Sequence, residues 1–182
     1  MDRELVTRAQ QGDTEAFTRL ADGLSSPFLA VARRILRDVD VAEDATQQAL
    51  LTVWQRLPQL RDPDKFEAWS YRLLVRACYS EGRRVRHWEP AIPMTESDKP
   101  VGQDVTGSVI DRDQLERAFL RLSLDHRTVV VLRHYRHFSL DEIANALDIP
   151  VGTVASRLHY ALTTMRSAIE ADARSHEQRF LS

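Results

Sequence analysis

Apolar residues return every three or four positions along most of the chain, the period of an amphipathic helix. The pattern predicts a short helix over Asp2 to Gln11. A second is predicted from Thr14 to Leu24, with Asp13 as N-cap and Phe17, Leu20 and Leu24 on one side. Ser26-Pro27 predicts the start of a third, proline in its first turn, with Phe28, Val31, Ala32, Ile35 and Leu36 turned inward. A fourth is predicted from about Asp40 to Leu57, ending at Pro58. The stretch from Gln59 to Asp64, with Pro63 inside it, breaks the pattern, and a long helix follows from about Lys65 to His87.

The pattern fails at Glu89. From there to Asp111 the chain holds Pro90, Pro93, Pro100, Gly102 and Gly107, one basic residue (Lys99) and five acidic ones. This composition predicts an extended acidic linker. Helical periodicity resumes at Arg112 and runs to about Ala173. The expected organisation is all-α: a helical domain over 1–88, the linker over 89–111, a second helical domain over 112–173 and a tail over 174–182 with no readable role.

Composition narrows the function classes. Of 182 residues only 6 are glycine and 7 proline, which favours helices over a turn-rich β fold. The 25 basic and 27 acidic residues give a net charge of −2, so any nucleic-acid contact must come from a local basic surface. A single cysteine, Cys78, excludes an internal disulfide and a cysteine-based zinc site. The start Met-Asp-Arg-Glu-Leu carries no apolar signal region, and no apolar run approaches the roughly 20 residues that span a bilayer. The expectation is a soluble, cytoplasmic protein.

Phe138 to Arg166 is the most informative stretch. Ser139 and Glu142 have the spacing of a capping box ahead of a short helix, Leu140 to Leu147, with Ile143, Ala144 and Leu147 inward. A turn at Asp148-Ile149-Pro150 leads to a second helix from Val151, whose Val154, Leu158, Leu162 and Met165 are expected to form a buried stripe. The small Ala144 lets the two helices approach steeply, as in a helix-turn-helix. The opposite face presents Thr153, Ser156, Arg157 and Tyr160 near the helix N-terminus, where such a motif meets base edges in the major groove. A plain helical hairpin with a solvated face is the alternative on this pattern alone.

Two further surfaces stand out. On the long helix Arg72, Arg76, Tyr79, Arg83 and Arg86 fall within an arc of roughly 80°. Arg84 and His87 extend this stripe, while Phe66, Trp69, Leu73 and Ala77 supply the apolar side. Clustered arginines beside an aromatic suit a polyanion with an unpaired base to stack, although an ordinary solvated face reads the same way. The fourth helix turns Ala42, Ala45, Ala49, Val53 and Leu57 inward. It shows Asp44, Gln47, Gln48, Leu51 and Gln55 outward, a strip better suited to a protein partner than to DNA.

Three motifs in this order resemble the extracytoplasmic-function sigma factors of the sigma-70 family. Ser139 to His159 (SLDEIANALDIPVGTVASRLH) is similar to the region 4 helix-turn-helix. Ala42 to Trp54 (AEDATQQALLTVW) is similar to region 2.2, and Phe66 to Ala77 (FEAWSYRLLVRA) to regions 2.3 and 2.4. The resemblance implies a sigma factor that binds core RNA polymerase and directs promoter-specific initiation. By it, Asp44, Gln47, Gln48 and Leu51 would dock on the β′ clamp coiled coil, and the second domain would meet the β flap. Arg61, Lys65, Arg72, Arg76, Tyr79, Arg83 and Arg86 would engage the −10 element around a flipped base. Thr153, Ser156, Arg157 and Tyr160 would read the −35 element, the linker would thread toward the RNA exit path, and an anti-sigma factor would be a further partner.

The chain departs from the family in having Ala155 where many relatives place lysine, and Tyr160-Ala161-Leu162-Thr163-Thr164 where they carry an arginine-rich turn. Fewer phosphate anchors imply weak duplex binding by the second domain alone, with polymerase tethering supplying the rest. No nucleophile–base pair, phosphate loop or cofactor site can be assembled, so no enzymatic activity and no small-molecule substrate are expected. His134 and His137 lack a third metal ligand on the same helix. A dimeric helix-turn-helix regulator and a partner-sequestering interaction module are the competing readings.

Overall fold

The computed structural model describes the backbone of residues 2–86 and 112–180, which forms helices joined by short turns. The linker at 89–111, His87 and the Arg86 side chain lie outside the described residues. Helix α1 (Arg3–Gln10) is capped by the Asp2 carboxylate, which accepts from the Glu4 N–H. The turn after it passes through Gly12, whose φ of +92° few L side chains tolerate.

Helix α2 (Thr14–Leu36) corrects an expectation: the predicted second and third helices are one rod with Pro27 inside it. Leu20, Leu24, Phe28, Val31 and Ile35 form one buried stripe across the proline. Their burial, at about 1.5–3 kcal/mol per large side chain, outweighs the roughly 3 kcal/mol that an interior proline costs. Asp13 caps this helix as expected, accepting from the Ala16 N–H.

Helix α3 (Val39–Arg56) is capped by Asp38, and a short 3-10 turn follows over Leu57–Gln59. Another turn, Pro63–Lys65, leads into α4 (Phe66–Arg86). Ala42, Ala45, Ala49, Val53 and Leu57 are buried, as the pattern predicts, and meet Phe66 and Leu74 in the core.

The second unit comprises α5 (Arg112–Leu120), α6 (Leu124–Val130), α7 (Leu140–Leu147) and α8 (Val151–Phe180). Between α6 and α7 the chain widens into a π-turn over Val131–Tyr135, where the Arg136 N–H donates to the Val131 carbonyl at 3.1 Å. Helix α8 outlasts the predicted end near Ala173. Its buried stripe also differs from the one expected: Leu162 is 45% exposed, while Val154, Ala161, Met165 and Ala168 are buried. The small Ala161 and Ala168 face Ala118 of α5 in a tight contact, which rotates the bulkier leucine outward. Arg117 and Arg121 then pair with Asp172 at 3.0 and 3.4 Å, fastening α5 along α8.

The two units are packed face to face. Leu124, Val131, Leu132, Phe138 and Ile143 belong to the same core as the first four helices. Tyr71 of α4 is the pivot, its ring edge-on to Phe28 at 5.1 Å on one side and to Phe138 at 5.5 Å on the other. Burial pushes its phenol up to about 12.

Candidate nucleic-acid interface

The helix-turn-helix is built as its sequence specifies. The Ser139 N–H donates to Glu142 Oε2 at 2.7 Å and the Glu142 N–H to Ser139 Oγ at 3.2 Å, closing the capping box. At the other end Asp148 adopts a left-handed conformation, φ 59°, and its N–H bonds the Ala144 carbonyl. The Pro150 carbonyl accepts from the N–H groups of Thr153 and Val154, which launches α8. Ile143, Ala144 and Val154 are buried at the crossing, with Ile149 packed against them.

On the outer face of α8, Ser156 and Tyr160 are exposed, and Ser156 Oγ donates to the Thr153 carbonyl at 3.0 Å. Thr153 is half-buried. Arg157 turns aside: its guanidinium pairs with Asp125 of α6 at 2.9 Å and its side chain is 27% exposed.

The basic stripe of α4 faces the same place. Arg76, Tyr79 and Arg83 form one wall of a 970 Å³ cleft, and Asp125, Asp148 and Arg157 line the other. Arg72 and Arg76 approach the Asp148 carboxylate at 3.7 and 3.8 Å. Exposed pairs at such distances contribute about 0–1 kcal/mol each. Tyr79 is half-buried, and burial, reinforced by the adjacent Asp125 carboxylate, pushes its phenol upward. Arg61 and Lys65 are exposed on a second opening, of 780 Å³, bounded across by Arg136 and Glu142. Of the residues expected at the −35 element, Arg157 alone lines the cleft with Arg76, Tyr79 and Arg83, whereas Thr153, Ser156 and Tyr160 do not line it.

On α3 the strip of Asp44, Gln47, Gln48 and Leu51 is exposed, with Leu51 at 51%. Asp44 pairs with Arg84 at 3.3 Å. Sequence reasoning missed Trp54, which is 42% exposed one turn beyond Leu51 and packs edge-on to Phe17 at 4.4 Å. Its spacing from Gln47 and Leu51, seven and three residues, was the available signal. Sequence reasoning also missed Arg136, whose guanidinium pairs with Glu67 at 2.5 Å and lies over the Tyr71 ring at 4.5 Å.

Among the described residues no group of three or more His, Cys, Asp or Glu is gathered to hold a metal. Burial pushes the Cys78 thiol up to about 12, so it stays protonated and inert. No described helix is long and apolar enough to cross a membrane.

The fold is thus a helix-turn-helix packed beside a helical bundle that carries a basic stripe, the class of architecture found in proteins that read DNA. Residues 22–88 match the family model for Sigma-70 region 2 and residues 118–167 that for Sigma-70 region 4. The chain is 31% identical to the RNA polymerase sigma-E factor of Streptomyces coelicolor, over 92% of this chain and 95% of that one. It is 26% identical to the ECF RNA polymerase sigma factor SigW of Bacillus subtilis, over 93% and 97%. The chain belongs to the sigma-70 family and, within it, to the extracytoplasmic-function sigma factors. Its fold is similar to that of CnrH in complex with the cytosolic domain of CnrY, at TM-score 0.68 and 22% identity, covering 94% of this chain and 98% of that one. It is also similar to the sigma factor RpoE from Bartonella quintana in complex with the anti-sigma factor NepR, at TM-score 0.65 and 22% identity, covering 87% and 99%.

Proposed function

We propose that this sigma factor finds promoters through the two surfaces described, each with a separate task. Thr153, Ser156, Arg157 and Tyr160 read the −35 element as duplex, since they occupy the N-terminal part of α8, the part that enters a major groove. Arg61, Lys65, Arg72, Arg76, Tyr79, Arg83 and Arg86 hold the −10 element. The arginines take its phosphates, and Tyr79 offers a platform for a base captured only when unpaired, which favours opening of the duplex.

Asp44, Gln47, Gln48 and Leu51, with Trp54 beside them, dock on the β′ clamp coiled coil, and the second unit meets the β flap. The chemistry of RNA synthesis then belongs to the polymerase in the cytoplasm, and this chain supplies no catalytic group. Residues 1–88 and 112–173 act as separate reading heads, joined by the acidic segment at 89–111. An anti-sigma factor is a fitting regulator, because two proteins of similar fold are described in complexes with CnrY and NepR.

The observation that carries the reading is the capped helix-turn-helix presenting Ser156 and Tyr160 outward, in a chain whose other unit shows the uncharged-to-acidic strip of α3. Run-off transcription from a promoter library by core polymerase reconstituted with this chain tests it. Start sites that appear only with the chain, and share elements near −10 and −35, are expected. A start-site pattern unchanged from core alone would refute it. A dimer on a palindromic site without polymerase would favour an ordinary repressor or activator instead.

A further inference from the structure

Helix α1 lies ahead of the residues matched to region 2 and has no part in the scheme above. It nevertheless rests against both short turns, Leu57–Gln59 and Pro63–Lys65, that bracket Arg61. Val6 and Ala9 seat it in the core of the first unit. Arg8 Nε and Nη2 both donate to Asp13 Oδ2, at 2.9 and 2.7 Å, which ties α1 to the cap of α2. Its last residue, Gln10, is half-buried.

Gln10 Nε2 donates to two carbonyls at once, Leu57 at 3.1 Å and Leu60 at 2.6 Å. These partners lie 47 and 50 residues away in sequence, so tertiary structure makes the contact. The backbone needs such a donor there. Helix α3 ends at Arg56, and carbonyls at a helix C-terminus have no following helical N–H to take them. The Leu57 carbonyl accepts from the Leu60 N–H at 3.1 Å, and Gln10 fills its second lone pair. Leu60 is extended, φ −70° and ψ 112°, where the chain leaves the turn. Its side chain packs against the core, while that of Arg61 is exposed. The Leu60 carbonyl and the Arg61 N–H share one planar peptide, so fixing the first sets the direction in which Arg61 departs.

The far end of the loop is held by its own groups. Asp62 accepts from the Asp64 N–H through its carboxylate and from the Lys65 N–H through its carbonyl, each at 3.1 Å, and Phe66 is buried. Arg3 of α1 adds an ion pair with Asp64 at 2.6 Å, but both side chains are more than half exposed, so solvent screens it. Gln10 is the better shielded of the two groups that α1 sends to the loop, and its hydrogen bonds meet less competition from water.

We propose that α1 is a brace for the −10 reading loop and that Gln10 is its positioning residue, holding the Leu57–Leu60 turn so that Arg61 and Lys65 meet DNA already in place. The proposal deepens the promoter-binding reading above and rests on it. Gln10 touches no DNA in this scheme and acts through the Leu60 peptide. A loop formed beforehand need not be ordered at the moment of binding. Without the brace only a fraction of molecules present the loop correctly, and affinity through it falls by that fraction. The loss falls on the preferred −10 element, which needs the loop, and spares altered elements held by phosphates alone. Discrimination at −10 is thus the quantity that Gln10 controls.

The test uses holoenzyme reconstituted from core polymerase and the full chain. Its probes are the best promoter from the library and the single-base variants of that promoter at −10 and −35. Gln10→Leu and Gln10→Glu both remove the donors at similar side-chain size, whereas Gln10→Lys supplies an ammonium that can donate to both carbonyls. The first two are expected to lower discrimination among −10 variants about tenfold, the effect of a loop competent about a tenth of the time. Discrimination at −35 should not move, and Gln10→Lys should keep most of the wild-type ratio. A changed charge shifts binding to every sequence alike, so the ratio is insensitive to it. A −10 ratio unchanged in both donor-free variants, one lowered equally at −10 and −35, or a loss in Gln10→Lys as large as in Gln10→Leu would each overturn the proposal.

The free wild-type chain supplies a readout that no misfolded variant can spoil. By NMR the Gln10 side-chain amide protons should exchange with solvent more slowly than those of the exposed Gln47 and Gln48, and equal exchange would overturn the brace. Arg61→Ala and Lys65→Ala keep its failure apart from that of the promoter reading. If they alter −10 discrimination and the donor-free Gln10 variants do not, the brace falls and the reading stands. If they leave −10 discrimination unchanged, the loop's part in the reading falls and the proposal falls with it.

Discussion

Phe138 stands edge-on to Tyr71, their ring centroids 5.5 Å apart and their planes at 83°, with both side chains buried. The two residues come from different units, so this contact serves folding and docking together. Removing a buried phenylalanine costs about 3–5 kcal/mol where the site cannot collapse. Phe138→Ala is expected to destabilise by about 3 kcal/mol and to split urea unfolding into two transitions. Circular dichroism and tyrosine fluorescence would then cease to coincide.

Arg157 carries a different expectation. Replacing it with alanine removes a guanidinium from the face of α8 proposed to meet base edges, a loss of about 1–3 kcal/mol at one promoter position. Transcription by the reconstituted holoenzyme should fall roughly 5- to 150-fold, and discrimination at that position should relax. The melting temperature of the free chain should change little, because the ion pair with Asp125 is partly solvated.

Leu51 and Trp54 separate stability from assembly. Both are exposed, so Leu51→Ala should leave unfolding within about 0.5 kcal/mol of the parent. If they anchor the polymerase, each alanine variant should weaken binding to core enzyme by at least about fivefold in a competition assay. An unchanged affinity for both would remove α3 from the docking surface.

Alkaline pH should unfold the protein in a defined order. The Cys78 thiol is raised by burial from 9.0 to about 12, and the Tyr71 phenol from 10.0 to about 12. In each case the unfolded chain gives up its proton first. Stability is therefore full below pH 9 and declines as pH rises toward 12. Cys78→Ala should remove the cysteine's share of the decline, which begins at 9 and runs to about 12, leaving the shares of Tyr71 and Tyr79 that begin near 10. Native Cys78 should also resist iodoacetamide near neutral pH, as followed by mass spectrometry.

Local chemistry was legible and long-range pairing was not. Helix α7 runs over the residues predicted from Ser139, Glu142 and the turn before Pro150, because capping and proline act within a few positions of themselves. The inward alanines of α3 followed from a period of 3.6. Pro27 misled because its local cost is visible in sequence, whereas the stripe that overrides it depends on what α2 packs against. Leu162 misled for a related reason: Ala161 beside it fits closer to α5, and periodicity does not weigh a small residue against a large one. Glu67 and Arg136 lie 69 residues apart, and nothing near either one announces the other. The stripe on α4 was found, but what it faces came only from the tertiary arrangement.

The π-turn at Val131–Tyr135 gives that arrangement a particular fragility. Its wider loop accommodates an additional residue per turn, and Arg136 and Phe138 follow directly after it. Deleting a single residue there would swivel everything downstream by about 100°, carrying the arginine off its aromatic seat and the phenylalanine out of the core. The spatial relation of the two halves thus depends on a count of residues as well as on their chemical nature, and a one-codon loss would disturb it more than most substitutions nearby.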